Sequence, residues 1–493
     1  MHCCQATIIS VFLAWLLPTS AFADNSLTLD PTYFKPADVI TRDVAIIGGG
    51  SSGIYSAISL KDKGKSIIVV EKKGRIGGHT ETYIDSTTGT PIDIGVQTWQ
   101  NISLVRNYFA RLNIPVIKFG SDADPNSPAQ LSANYDLRSG KEVNVTAPSA
   151  QQVYTAFAAY AEQLKKYPRL NDGMFLPNPV PEDLYMPFGD FVKKYKIEDA
   201  LVTMFNYNPG LGDVLTVPTV EQMRAFGQNL VEQLSTGFLT TRHHNNSELY
   251  TNAEKELLSS SSLLLNSEVI QAERNDGNAK SESGRIKLLV RTPNGTKLIR
   301  AKKLLITIPP RLDFLAPFSL SQKEKTVFGK LIDAGYYTSI VKNTGIPDNL
   351  SITNMLQSSP YNLPVLPGVY SIGTTQVKGL HIAFYGTPRS SKTFPLSDED
   401  VKADIIASIK RLQRANPDKF NQTEPEFVVY SSHAPFYLQA RPEDTKDGFY
   451  RELYALQGGR NTYWTGAGFR SQDSSNVWRF SEDVVLPELV KGL

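Results

Sequence analysis

The chain has 493 residues, 41% of them hydrophobic and 20% charged, with a formal net charge of +2. That length is too great for one core, so roughly two or three domains are expected, and the composition is that of an ordinary globular protein. The near-neutral balance gives no electrostatic basis for a nucleic acid or an acidic membrane as partner, and the basic pairs Lys72-Lys73, Lys165-Lys166, Lys193-Lys194 and Lys302-Lys303 read as scattered, solvated surface.

The first segment is a leader. Ala6 to Leu17 is largely apolar but too short to span a bilayer, and Pro18, Ser20, Ala21 and Ala23 precede Asp24. This pattern predicts a secretory signal over residues 1–23 and a chain that enters the secretory pathway or is secreted. Its n-region is weak, and an uncleaved anchor or a buried helix is the alternative. The two cysteines, Cys3 and Cys4, lie inside it. The mature chain would then carry neither a disulfide nor a cysteine nucleophile. Sequons at Asn101, Asn144, Asn245, Asn294, Asn349 and Asn421 fit this route. No later run is long enough to cross a membrane.

The next segment carries the strongest motif. Asp43 to Ile47 is an apolar strand, Gly48-x-Gly50-x-x-Gly53 is a turn, and Ser51 to Lys63 has helical spacing ended by Gly64. A second strand stops at Glu71. In a dinucleotide fingerprint Gly48 permits the turn, Gly50 admits a pyrophosphate and Gly53 lets helix and strand pack closely. The helix start offers free N–H groups to phosphate, and Glu71 is placed to accept from a ribose hydroxyl. The same letters fit Gly-x-Ser-x-Gly, which would make Ser51 a nucleophile served by His381 or His433. That hydrolase reading leaves the acid-terminated second strand unexplained. A glycine pair follows at Gly77-Gly78, behind Arg75 and before His79.

From about residue 101 helices and long loops take over. Ser149 to Gln152 is a capping-box pattern leading Val153, Phe157, Tyr160 and Leu164, and Thr219 to Gln222 reads as a second such start. Near residue 263 short β runs begin, with a turn at Pro293-Asn294-Gly295. A helix is expected from about Asp398 to Leu412, with Val401, Ile405, Ile409 and Leu412 on one face. The last segment runs as a strand through Tyr463 and Trp464 into Gly466 and Gly468. There is no metal-ligand spacing, and His243-His244 reads as a loop pair.

Three segments together resemble the FAD-dependent amine oxidase superfamily. They are the glycine turn through Glu71 with Arg75 and Gly77-Gly78, the stretch from Asn266 through Val269 to Pro309-Pro310, and Tyr463-Trp464-Thr465-Gly466. The secretory leader and the Gly-Gly-His-Thr wording are most similar to the fungal β-cyclopiazonate dehydrogenase family within it. The resemblance implies non-covalent FAD held by Gly48, Gly50, Gly53, Glu71, Arg75, Gly77, Gly78, Val269 and Gly466. It implies an α/β fold: a discontinuous Rossmann-like FAD-binding domain with an inserted mixed α+β substrate domain. The FAD-binding parts would be residues 41–100, 261–316 and 456–493, and the substrate parts 101–260 and 317–455. His79, where many relatives have arginine, and Tyr463, at the place of a cage aromatic, are candidate catalytic residues. No lysine of this chain matches the one that many amine oxidases hold near the flavin; Tyr336, Tyr337 and Lys342 lie in a plausible strand but read as core or surface. Trp464 and Trp478 read as core.

The expected activity is dehydrogenation of a bulky, largely apolar natural product in secondary metabolism, with oxidative cyclisation as an extension. The flavin supplies the redox chemistry, so no charged triad is required. Two alternatives stand beside it: a secreted amine oxidase that releases peroxide, and a non-catalytic flavin- or nucleotide-binding protein.

Overall fold

The computed structural model describes residues 28–122, 130–275, 285–390 and 396–493. The proposed leader, with Cys3 and Cys4, lies outside the described residues.

Two large sheets organise the chain. In the first, β1 (Val39–Ile47) runs parallel to both β2 (Ile67–Val70) and the strand Gly295–Ile306. The helix α1 (Ser51–Asp62) joins β1 to β2. Leu263–Leu264 extends the sheet beyond β2, and Glu268–Glu273 and Ile286–Thr292 extend it beyond Gly295–Ile306. Thr462–Trp464 pairs in parallel with Leu304–Ile306. One seven-stranded sheet is therefore assembled from three distant stretches of sequence. Val44, Ala45, Ile46, Ile67, Ile68 and Val69 are almost fully buried, as central parallel strands require.

The second seven-stranded sheet runs in the order Glu426–Ser432, Tyr336–Lys342, Leu380–Gly386, Gly368–Thr374, Leu350–Asn354, Leu131–Asp136, Lys141–Glu142. The helix Asp398–Ala415 packs Val401, Ile405, Ile409 and Leu412 on one face of it. Strand alternation divides the aromatic side chains. Tyr337 and Tyr385 belong to the core beneath that helix, whereas Tyr336, Tyr370 and Phe384 face a cavity between the sheets.

Two helix starts differ. Ser149 forms a full capping box with Gln152 at the head of Ala150–Leu164. Thr219 caps nothing: Pro218 is the N-cap residue of Thr219–Ala225, and the Thr219 hydroxyl donates to the Met186 carbonyl at 3.0 Å. Its helix is buried on all sides, so the hydroxyl finds a tertiary acceptor. Among the described residues no helix is long and apolar enough to cross a membrane. No group of three or more His, Cys, Asp or Glu side chains could hold a metal among them.

Candidate active site

A cavity of about 730 Å³ runs from the β1–α1 turn to the second sheet. Its first end is built from glycines. Gly48 has φ +106°, and a Cβ at Gly53 would lie 2.0 Å from the Gly48 carbonyl oxygen. This is close helix–strand packing that any side chain would block. Gly50 caps α1 without a side chain, so the first N–H groups of the helix stay uncapped beside the cavity-lining Ser51 and Ser52.

The downstream glycine pair is drawn onto this turn. The Gly77 N–H donates to the Gly49 carbonyl at 2.8 Å. Gly78 has φ +59°, and a Cβ there would stand 3.0 Å from the Cα of Gly50. Glu71 lines the cavity with both carboxylate oxygens engaged: Oε2 accepts from the Gly49 N–H at 2.6 Å and Oε1 from the Lys73 N–H at 2.7 Å. Those bonds orient it and leave lone pairs over for a hydroxyl. Thr307, inside the second stretch of the resemblance but given no role there, locks the strand Gly295–Ile306 to the turn by donating to the carbonyls of Ile47 at 2.8 Å and Gly48 at 3.2 Å.

The other expected cofactor residues divide. Gly466 has φ +107°, and its Cβ would meet the Thr307 carbonyl at 2.9 Å and Ser52 Oγ at 3.3 Å, so the terminal segment lies against the same turn. Arg75 pairs with Glu81 and donates to the Gly78 carbonyl at 3.2 Å, bracing the glycine pair from outside the cavity lining. Val269 is 5% exposed, opposite Val290 and likewise outside the lining. Ser267, two residues before it, donates its N–H to the Glu71 carbonyl at 2.9 Å.

The far wall is aromatic. His79 and His433 stack with ring centroids 4.5 Å apart and planes at 19°. Phe436 lies 4.8 Å from Tyr336 and 5.8 Å from His79, and Tyr370 lies 5.8 Å from Phe384. The Tyr370 hydroxyl donates to that of Tyr336 at 3.2 Å. Gly210 makes room for Phe436, since a Cβ there would sit 2.3 Å from the ring. Tyr437 adopts φ +52°, which a bulky side chain rarely takes. Burial pushes the His433 imidazole down to about 3, aided by Lys73 and Arg75. Burial, His433 and Lys73 hold His79 well below the usual range. Both rings are therefore neutral near pH 7. The charged lining residues are Glu71 and Lys73 at the glycine end and Asp473, which caps the helix Ser474–Phe480 by accepting from the Asn476 N–H at 2.8 Å.

Tyr463 is placed elsewhere. It is 8% exposed, donates its hydroxyl to the Glu488 carbonyl at 3.1 Å and is not a lining residue. Trp464 is fully buried in the core, as is Trp478, whose indole N–H reaches Ser51 Oγ at 2.9 Å. Ser51 Oγ also donates to Ser474 at 2.9 Å. Among the described residues no histidine bonds to it, while His381 lies in the second sheet beside Thr344, so the hydrolase constellation does not form. Lys342 pairs with Glu426 away from the cavity, whereas Tyr336, read as core or surface, lines it. His243 and His244 hold separate carboxylates, Glu248 and Asp122. The His433 to Leu438 wall was missed; its only sequence signal was the density of aromatic residues around Pro435.

A dinucleotide fits this cavity. Gly50 and Gly78 leave a cradle that side chains would fill, uncapped N–H groups stand beside it, and Gln100 Oε1 and Ser471 Oγ are buried lining atoms without a hydrogen-bond partner among the described residues.

Comparison with known proteins gives a matching picture. The model of the NAD(P)-binding Rossmann-like domain matches residues 46–112. The FAD-dependent oxidoreductase oblC of Cochliobolus heterostrophus is 50% identical over 99% of this chain and 100% of its own length. The β-cyclopiazonate dehydrogenase of Aspergillus oryzae is 35% identical over 91% and 93%. Among solved structures, a fatty acid isomerase from P. acnes that produces CLA superposes with a TM-score of 0.70 at 17% identity, covering 90% of this chain and 98% of that one. Cyclohexylamine oxidase from Brevibacterium oxydans does so at 0.61 and 14%, covering 91% and 99%. At such identities the structural likeness concerns the fold alone.

Proposed function

The chain belongs to the FAD-dependent oxidoreductases that include oblC and β-cyclopiazonate dehydrogenase, and from that premise we propose that it dehydrogenates a bulky, neutral, largely apolar natural product. When bound, FAD supplies the acceptor for a hydride equivalent. The residues that would hold it are Gly48, Gly50, Gly53, Glu71, Gly77, Gly78 and the segment around Gly466, with Arg75 bracing the pair from behind.

The observation that carries the substrate reading is the far wall. His79, His433, Tyr336, Phe436, Tyr370 and Phe384 line it, and none carries a charge at neutral pH. Burial is the main cause that keeps both imidazoles neutral, with Lys73 and Arg75 adding to it and Glu81 opposing it at His79. Such a wall orients a flat apolar molecule by stacking and excludes water around it. The extension to ring closure rests on the same wall, which would hold an oxidised, electrophilic product away from water long enough to cyclise. The apolar leader supports a secretory route.

Anaerobic mixing of the FAD-loaded enzyme with neutral indole alkaloids and terpenoids, and separately with putrescine and cyclohexylamine, tests this reading. Bleaching of the flavin band by a neutral polycyclic compound and not by either amine is the expected result. Bleaching by the amines alone, with peroxide release in air, would replace it with the amine oxidase alternative. Bound flavin that no compound reduces would favour the non-catalytic one.

A further inference from the structure

Arg224 lies in the buried helix Thr219–Ala225 with its side chain 0% exposed. Nη2 donates to the carbonyls of Ala467 at 2.6 Å and Gly468 at 3.2 Å, and Nε donates to that of Arg470. Nη1 donates to the Leu438 carbonyl and to Glu221, each at 2.9 Å. Glu221 is itself fully buried, accepts from the Tyr450 hydroxyl and compensates the charge. A guanidinium has five N–H donors in a rigid fork, and here all are used.

Its carbonyl partners belong to two stretches of the cavity wall, one at Leu438 and one from Ala467 to Asp473. A trans peptide turns its N–H away from its C=O. Holding the carbonyls of Ala467 and Arg470 on Arg224 therefore turns the N–H groups of Gly468 and Ser471 to the opposite side. Both residues line the cavity, and neither N–H has a protein acceptor among the described residues. The same segment follows Gly466, which packs on Thr307 beside the glycine turn, so it stands on the cofactor's side of the cavity.

We propose that Arg224 is a positioning residue that aims the Gly468 and Ser471 N–H groups at an electronegative atom of the bound cofactor's ring system. This rests on the FAD-dependent reading. Donors aimed at such an atom favour the electron-rich, reduced form, because negative charge that develops there meets fixed dipoles.

The test uses Arg224→Lys, which keeps the charge and loses the fork, with Ile405→Val under the second sheet as a control for lost packing. FAD affinity is read by fluorescence on apoprotein, and midpoint potential by dye equilibration. Arg224→Lys should weaken FAD binding about tenfold, the loss of one or two hydrogen bonds, and lower the potential. Ile405→Val should lower the melting temperature and move neither. An Arg224→Lys protein with wild-type affinity and potential overturns the proposal, as does a control that shifts both equally. Should Arg224→Lys fail to fold, Tyr450→Phe loosens Glu221 and should weaken FAD binding about twofold, a smaller loss of the same kind; unchanged binding overturns the proposal. Wild-type apoprotein that takes up no FAD removes it together with the FAD-dependent reading, which separates that failure from the others.

Discussion

Each glycine of the turn answers to a different neighbour, and substitution should separate them. A Cβ at Gly53 would lie 2.0 Å from a backbone oxygen, so Gly53→Ala must displace helix from strand. It should cost about 3 kcal/mol of apoprotein stability, the upper end of overpacking penalties. A Cβ at Gly50 meets only the Gly78 Cα, at 3.8 Å, and Gly50 has φ −76°, which alanine accepts. Gly50→Ala should therefore leave apoprotein stability within about 0.5 kcal/mol and still weaken FAD binding at least about tenfold by filling the pyrophosphate cradle. Denaturant titration of the apoproteins, with FAD titration of the folded ones, checks both. An equal loss of stability in the two variants would refute this division of roles.

The aromatic wall joins the strands Tyr336–Lys342, Gly368–Thr374 and Leu380–Gly386 to His79 and the segment His433 to Leu438, and its acid response belongs to the junction of the first strand with that segment. The His433 N–H donates to the Tyr336 carbonyl at 2.9 Å, which brings its ring onto His79. An unfolded histidine titrates near pH 6.5, whereas folded His433 does so at about 3. Between those values the unfolded chain binds the proton and the folded one does not. Stability is thus complete above about pH 6.5 and is lost progressively as pH falls toward 3, by about 2 kcal/mol at pH 5 from this group. His433→Phe keeps a ring in the stack and removes the proton site. The fall in melting temperature between pH 7 and pH 5 should shrink in that variant, and an undiminished fall would show that the ring is already charged when folded. Elements with a strong local signal were legible in the sequence: α1 from the glycine turn that precedes it, and the helices Ala150–Leu164 and Asp398–Ala415 from one apolar face. The wall was not. Alternation in a strand says that Tyr336 and Tyr337 face opposite ways, but two buried faces look alike in sequence when one packs on a helix and the other borders a cavity. Thr219 was misread for a related reason, because its hydroxyl obeys a tertiary contact rather than the local capping pattern.

At the scale of the molecule, the cofactor end of the site was readable because its demands are local and chemical: glycines at fixed spacing, an acid after the second strand, a terminal strand running into glycine. The Arg224 clamp arises from the docking of residues more than two hundred positions apart, and the substrate end from strands and a loop that meet only in the folded chain, which no window of sequence reports. The sequons test the remaining reading, the secretory route. Transfer of a glycan needs an accessible side-chain amide on a surface loop. Asn144, Asn294 and Asn421 are exposed, whereas Asn101 holds Arg106 at 2.9 Å and Asn245 has a buried side-chain oxygen. Asn294 sits exposed at the tip of the turn between two sheet strands. A chain secreted from a fungal host should carry glycans at Asn144, Asn294 and Asn421, seen as a mass shift that peptide-N-glycosidase removes and that the triple Asn→Gln variant lacks. Asn245→Gln should leave that mass shift unchanged. A chain recovered from the cytosol with all three exposed sites bare would end the secretory reading, and leave the flavin chemistry as it stands.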